Sequence, residues 1–127
     1  MQARFGTSAA FLSAGGYHHH IGLNTWESLG GSPPPTRATG LYHVAILYSS
    51  RQELARALRR ILDHGWGIEG AADHGVSEAI YLRDPDDNGI EIYTDRPQEQ
   101  WPRDAEGNLT MFTHPLDLER LLKELKN

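Results

Sequence analysis

The chain has no cysteine, which excludes disulfides, thiolate-held metals and cysteine nucleophiles. Any metal must then be held by histidine, carboxylate or carbonyl, a donor set that favours Fe(II), Mn, Ni or Zn over an iron–sulfur cluster. No apolar run approaches the length of a membrane span. The opening MQARFGTSAAFL lacks the basic start and long apolar stretch of a signal peptide. Positive charge is short as well: 12 Lys and Arg against 17 Asp and Glu leave a net charge of −5, which argues against the basic face of a nucleic-acid binder. The expectation is a cytoplasmic protein with neither membrane nor nucleic acid as partner. A length of 127 residues fits one domain able to bury a core.

Histidine, by contrast, is abundant, and three of the seven are consecutive. Residues 8–13, SAAFLS, read as a strand, AGG at 14–16 as a turn, and YHHHIGLNT at 17–25 as a second strand, so the two form a hairpin. The end of an earlier strand is expected at Arg4 and Phe5. Residues 27–40, with three successive prolines, read as a linker or long loop. LYHVAIL at 41–47 is a strand. A helix follows, with Ser50 as N-cap, Glu53 completing a capping box, Leu54, Leu58, Ile61 and Leu62 as its apolar stripe, and Gly65 closing it. WGIEGAA is a short strand, SEAIYLRD at 77–84 a stronger one, PDDNG a turn, and IEIYTD at 90–95 the last strand. Residues 41–95 thus spell βαβββ. Residues 96–114 read as irregular, and PLDLERLLKELK as an amphipathic helix.

Two side chains in this pattern call for an explanation. Glu91 lies mid-strand, alternating with Ile90 and Ile92; its carboxylate must face solvent, meet a cation or bind a metal. His43 lies between two apolar faces and is expected to be buried, where its ring nitrogens need partners. Singly, each fits an ordinary structural role: a wet sheet face for Glu91, a core histidine bonded to a backbone carbonyl for His43. Together they converge if the first and last strands of the unit are neighbours. One further histidine would complete a 2-His-1-carboxylate set suited to non-haem Fe(II). His74 precedes a strand that contains Tyr81, and both can share protons near neutral pH; the plainer alternative is a loop histidine and a strand tyrosine. Strand parity separates His19 from His18 and His20 and puts it on the face of Ile21 and Leu23, so His19 is the member of the triplet expected to face a half-buried site. The acids of DPDDNG fit turn chemistry rather than a calcium loop.

The run HGVSEAIYLRDPDDNGIEIYTDRP, with GLYHVAIL and GGYHHHIGLNTW upstream and DRPQEQWP after it, resembles the vicinal oxygen chelate superfamily of glyoxalases, bleomycin or fosfomycin resistance proteins and extradiol dioxygenases. The resemblance is strongest to the branch similar to catechol 2,3-dioxygenase. YLRDPDDNGIEIY matches that family's closing hairpin, with Asp87 where glycine is commonest. The resemblance implies an α+β fold of paired βαβββ modules in a curved mixed sheet, with the first module incomplete. It implies a single domain over 1–127: a remnant hairpin of the first module at 1–26, a linker at 27–40, a complete module at 41–95 and a C-terminal extension at 96–127. It implies metal ligands at His43 and Glu91, substrate and proton-transfer roles for His74 and Tyr81, and a histidine of the triplet, His19, in the active site. The implied cofactor is a divalent metal, Fe(II) favoured, with Mn, Ni or Zn as alternatives. The implied activity is ring cleavage of an aromatic diol; a glyoxalase-like lyase, a metal-free antibiotic-binding protein or a truncated inactive relative are the alternatives. The family's other metal histidine would lie on a strand upstream of Met1, and the sheet edge left open by that strand is expected to favour a homodimer or a strand-swapped oligomer.

Overall fold

A computed structural model describes residues 1–126, which form two compact units, Met1–Ala38 and a second beginning at Thr39. Asn127, the last residue of the expected extension, lies outside the described residues.

The first unit is an antiparallel three-stranded meander of β1 (Ala3–Phe5), β2 (Ala9–Leu12) and β3 (Ile21–Asn24), in that order. The strand expected near Arg4 is present and pairs with β2. The strand expected over 17–25 is shorter, because the connection from β2 is wide. Gly15 and Gly16 take φ of +68° and +78°, a conformation natural to glycine, and the ladder resumes only where the His20 N–H donates to the Leu12 carbonyl (2.8 Å). His18 and His19 therefore precede the strand, and the alternation argument does not apply to them. His19 is placed instead by packing on the Phe11 ring, 4.9 Å between centroids, and by a 2.8 Å contact between its Nδ1 and that of His18. All three histidines are exposed, and Ala9 is the one buried residue among Met1–Ala38.

The second unit carries the expected βαβββ order. Its elements are β4 (Val44–Leu47), α1 (Arg51–Asp63), β5 (Gly70–Asp73), β6 (Ser77–Arg83), β7 (Gly89–Asp95), β8 (His114–Pro115) and α2 (Leu118–Lys123). The five strands lie in the order β4-β7-β6-β5-β8; β4 runs parallel to β7, and the other pairs are antiparallel. The class is the α+β, glyoxalase-like one expected. The Ser50 hydroxyl caps α1 by accepting from the Glu53 N–H, and Gly65 follows at φ +68°. α2 is shorter than its apolar pattern because Asp117, accepting from the Arg120 N–H, sets its start. Leu54 and Leu58 of α1, Ile80 of β6 and Leu121 of α2 are fully buried and, with Leu82 and Ile92, form the core on one face of the sheet. At the edge of that face the Glu78 carboxylate, 7% exposed, lies between Arg51 (2.7 Å) and Arg96 (3.1 Å). Arg96 also holds Asp73 (2.6 Å), and Arg51 holds Glu124 of the C-terminal turn. A buried carboxylate needs such partners; here they tie β5, β6, α1 and the C-terminus together.

The segment read as irregular contains a second copy of the closing-hairpin turn. In DPDDN, Asp84 Oδ1 accepts from the N–H groups of Asp86 and Asn88, Oδ2 accepts from the Asn88 amide, and Arg83 donates to the Asp87 carbonyl. In DAEGN, Asp104 does the same with Glu106 and Asn108, and Arg103 donates to the Gly107 carbonyl. Arg103 and Leu109 flank the second turn in an isolated antiparallel bridge. The equivalent positions Asp87 and Gly107 have φ of +66° and +85°. Asp tolerates that region at a cost that glycine does not bear. Asp87→Gly is expected to stabilise the protein by about 0.5–1 kcal/mol by relieving that cost, because the exposed Arg83–Asp87 ion pair that it removes (3.9 Å) contributes little. Chemical denaturation with an unchanged slope and a higher midpoint would show it; an unchanged or lower midpoint would refute it.

Candidate metal and substrate site

The sheet face opposite the helices carries the chemistry. In β4–β7 register Ala45 is the partner of Glu91 and Leu47 of Tyr93; in β6–β7 register Tyr81 faces Glu91. One residue before β4, His43 follows the same alternation. Its Nε2 lies 2.9 Å from Glu91 Oε2. His43 is not buried as its apolar neighbours suggested. Its side chain is 30% exposed and that of Glu91 14%, because this face has no helix over it and Leu47 is itself 55% exposed.

The approach of His43 to β7 depends on Gly89. A Cβ at Gly89 would come within 2.2 Å of the Tyr42 carbonyl oxygen and 3.0 Å of the His43 Cβ. Only a residue without a side chain lets the backbone before β4 come this close.

Next along the face stands Tyr81, with its ring centroid 6.2 Å from that of His43. Its phenol is pushed above the ordinary tyrosine range, first by burial, then by the Glu91 carboxylate and by Tyr42. Its hydroxyl lies 2.7 Å from His74 Nε2. His74 sits in the turn between β5 and β6, where its N–H donates to the Ser77 carbonyl (2.9 Å), and its Nδ1 is 3.0 Å from the Phe112 carbonyl oxygen. His43, Glu91, Tyr81 and His74 thus form a continuous polar line across one sheet face. His19 belongs to the first unit. Among the described residues no group of three or more His, Asp or Glu assembles as a metal cage; His43 and Glu91 are a two-donor pair. Sequence reasoning missed Gly89 as a spacer and Phe112 as a partner. The glycine reads as part of a turn, and a backbone carbonyl has no residue-type signature.

A sequence profile of the Glyoxalase/Bleomycin resistance protein/Dioxygenase superfamily matches residues 1–92. The chain belongs to that superfamily. All four residues of the polar line lie inside the matched stretch. Among curated relatives, the superfamily member named catechol-2,3-dioxygenase in Bacillus subtilis (strain 168) is 56% identical over 91 residues, which are 72% of this chain and 32% of the relative. Biphenyl-2,3-diol 1,2-dioxygenase 3 of Rhodococcus globerulus is 34% identical over 86 residues, 67% of this chain and 45% of the relative. The chain therefore spans about a third of the first relative and under half of the second. No solved structure matches it. No helix among the described residues is long and apolar enough to cross a membrane.

Two outcomes follow from this geometry. Gly89→Ala should cost about 1–3 kcal/mol through forced overpacking and should separate His43 from Glu91; thermal melting together with the His43 ring resonances reads both. A variant with wild-type stability and an unmoved His43 would contradict the contact. Glu91→Gln should lower the pH at which Tyr81 ionises, but leave it above the ordinary tyrosine range, since burial is the larger cause. Because a raised folded pKa stabilises the fold below the unfolded value and that contribution is lost as pH rises through the folded one, Tyr81 weakens the fold only in alkali, from about pH 10 upward. Ultraviolet difference titration against Tyr81→Phe isolates the group, and an unchanged midpoint in Glu91→Gln would remove Glu91 as a contributor.

Proposed function

We propose that the chain carries part of a metal-dependent ring-cleaving site of the extradiol-dioxygenase type, acting on an aromatic diol in the cytoplasm. The observation that supports this reading best is the His43–Glu91 pair. An imidazole and a carboxylate from the first and last strands of the module stand 2.9 Å apart on an open sheet face. That donor chemistry fits two positions of a 2-His-1-carboxylate set, so His43 and Glu91 would hold the metal, with Fe(II) favoured and Mn, Ni or Zn as alternatives. When bound there, the metal would supply Lewis-acid and redox chemistry toward the diol and oxygen. The names of the two relatives, both dioxygenases and both naming an aromatic diol, support the substrate class.

The remaining roles belong to this chain's own side chains. Tyr81, kept neutral by burial and by Glu91, would meet a ligand hydroxyl beside the His43–Glu91 pair. His74, in hydrogen-bond contact with Tyr81, would take up or return a proton through it. His19, in the first module, is proposed as a further catalytic residue. In this reading residues 1–26 are the end of that module, 27–40 a linker, 41–95 the complete module and 96–127 an extension.

Anaerobic titration with Fe(II), followed by catechol and air, tests the proposal. Weak but saturable binding is expected for the wild-type chain, which offers two ligands, with at least tenfold weaker binding in His43→Ala and in Glu91→Gln, since each removes one of them. Oxygen uptake with catechol should depend on both residues. Binding of Fe(II) that is unchanged in both variants would sink the assignment.

A further inference from the structure

We propose that residues 96–115 are a positioning strap that holds His74 with its proton on Nδ1, so that Tyr81 presents its oxygen to a ligand as a hydrogen-bond acceptor. This rests on the proposed site and deepens it, by stating which partner in that site donates and which accepts. The strap begins just beyond the matched family stretch, which ends at residue 92, and it returns to the site from the far end of the chain.

The argument starts at Phe112. A carbonyl oxygen can only accept a hydrogen bond, and this one lies 3.0 Å from His74 Nδ1. In a neutral ring the proton is therefore on Nδ1, and Nε2 is left with a lone pair. The Tyr81 hydroxyl, 2.7 Å from Nε2, must then be the donor of that bond. Its hydrogen is committed to His74, and what remains for a ligand is the oxygen's lone pairs. A ligand hydroxyl fits there; an ether oxygen or carbonyl in its place would set acceptor against acceptor. If a base is needed, the ligand O–H breaks as a new O–H forms at Tyr81. The original Tyr81 O–H breaks as Nε2–H forms, and the resulting imidazolium keeps Nδ1–H on the Phe112 carbonyl.

The strap is fixed closely enough to impose this direction. At its start Arg96 is bonded to Asp73, the neighbour of His74, at 2.6 Å. At its end β8 pairs with β5, His114 opposite Asp73 and Pro115 opposite Ala72. Between them the Phe112 N–H donates to the His74 carbonyl (3.3 Å), so Phe112 meets His74 through both backbone groups. The fit is tight. Gly75 has φ +80°, and a Cβ there would lie 2.7 Å from the Phe112 ring and 2.8 Å from Pro102. The Phe112 ring in turn stacks on His114 at 4.1 Å. Thr113 Oγ1 is also near Nδ1, but at 3.4 Å it is the weaker partner.

The test is the tautomer itself, read by long-range proton–nitrogen correlation on the metal-free, nitrogen-15-labelled full chain at about pH 8, where an ordinary imidazole is neutral. His74→Asn identifies the signals. The expected result is a proton on Nδ1 in the wild type, in Thr113→Val and in Tyr81→Phe. In Phe112→Ala, which loosens the strap, the ratio of tautomers should shift toward Nε2–H by about tenfold, the worth of one hydrogen bond, and Phe112→Leu should restore it. A wild-type proton on Nε2 would overturn the proposal even if every variant misfolded. So would a ratio unmoved in folded Phe112→Ala, or one lost in Thr113→Val or Tyr81→Phe. None of these readings requires metal or turnover, so failure of the ring-cleavage proposal would show itself separately.

Discussion

Parallel pairing of β4 with β7 is the constraint from which the site follows. It brings the two ends of the βαβββ unit side by side at one edge of the chain's larger sheet, and it places His43 against Glu91 at hydrogen-bond distance. Parallel neighbours need a crossover, and here it runs through α1 and the β5–β6 hairpin. The same register puts Val44 and Ile46 opposite Ile90 and Ile92, on the face that α1 and α2 cover. A slip by one residue would exchange the faces, sending the apolar set outward and the ligand pair into the core. Burial of the aliphatic face thus enforces the geometry of the polar one. Gly89 completes the constraint, since any side chain there would collide with the backbone that carries His43.

The two faces handle charge differently. On the helix side Glu78 lies between Arg51 and Arg96, so its charge is matched where little water reaches it. On the open side Glu91 has only a histidine and, across the strand, a tyrosine whose ionisation it opposes. One arrangement is satisfied by the protein's own cations. The other has anionic and imidazole donors facing outward with capacity to spare, which is the difference between a structural carboxylate and one suited to a ligand.

Much of this was legible in the sequence, and the exceptions have physical reasons. Element order in 41–95 and the Ser50 cap follow from periodicity and capping pattern, and strand parity sets the faces of His43 and Glu91; that their strands are neighbours, which makes the two converge, is a long-range pairing that the structure supplies. The same parity argument fails at His19, since the chain leaves the extended conformation at Gly15 and Gly16 and recovers it only near His20. His43 is more exposed than its apolar neighbours suggest, because apolar residues flank it on both faces but only one face has helices over it. The contribution of Phe112 lies in a backbone carbonyl, which any residue could offer. The turn at 104–108 was readable after all: Arg-Asp, an acid two residues after the Asp and an Asn four after it repeat the pattern at 83–88.

That repeated turn has a consequence for how this region can change over evolutionary time. Each copy is closed by its own Asp, Asn and Arg, with bonds spanning four residues at most, so it reverses the chain without help from a neighbouring strand. Inserted or deleted residues on either side of Asp104–Asn108 would leave the reversal intact and alter only how far the returning limb reaches. The second turn is in effect a length adjuster. Lineages could retune what borders His74 by indels in a solvent-facing loop, leaving the sheet that holds His43 and Glu91 untouched.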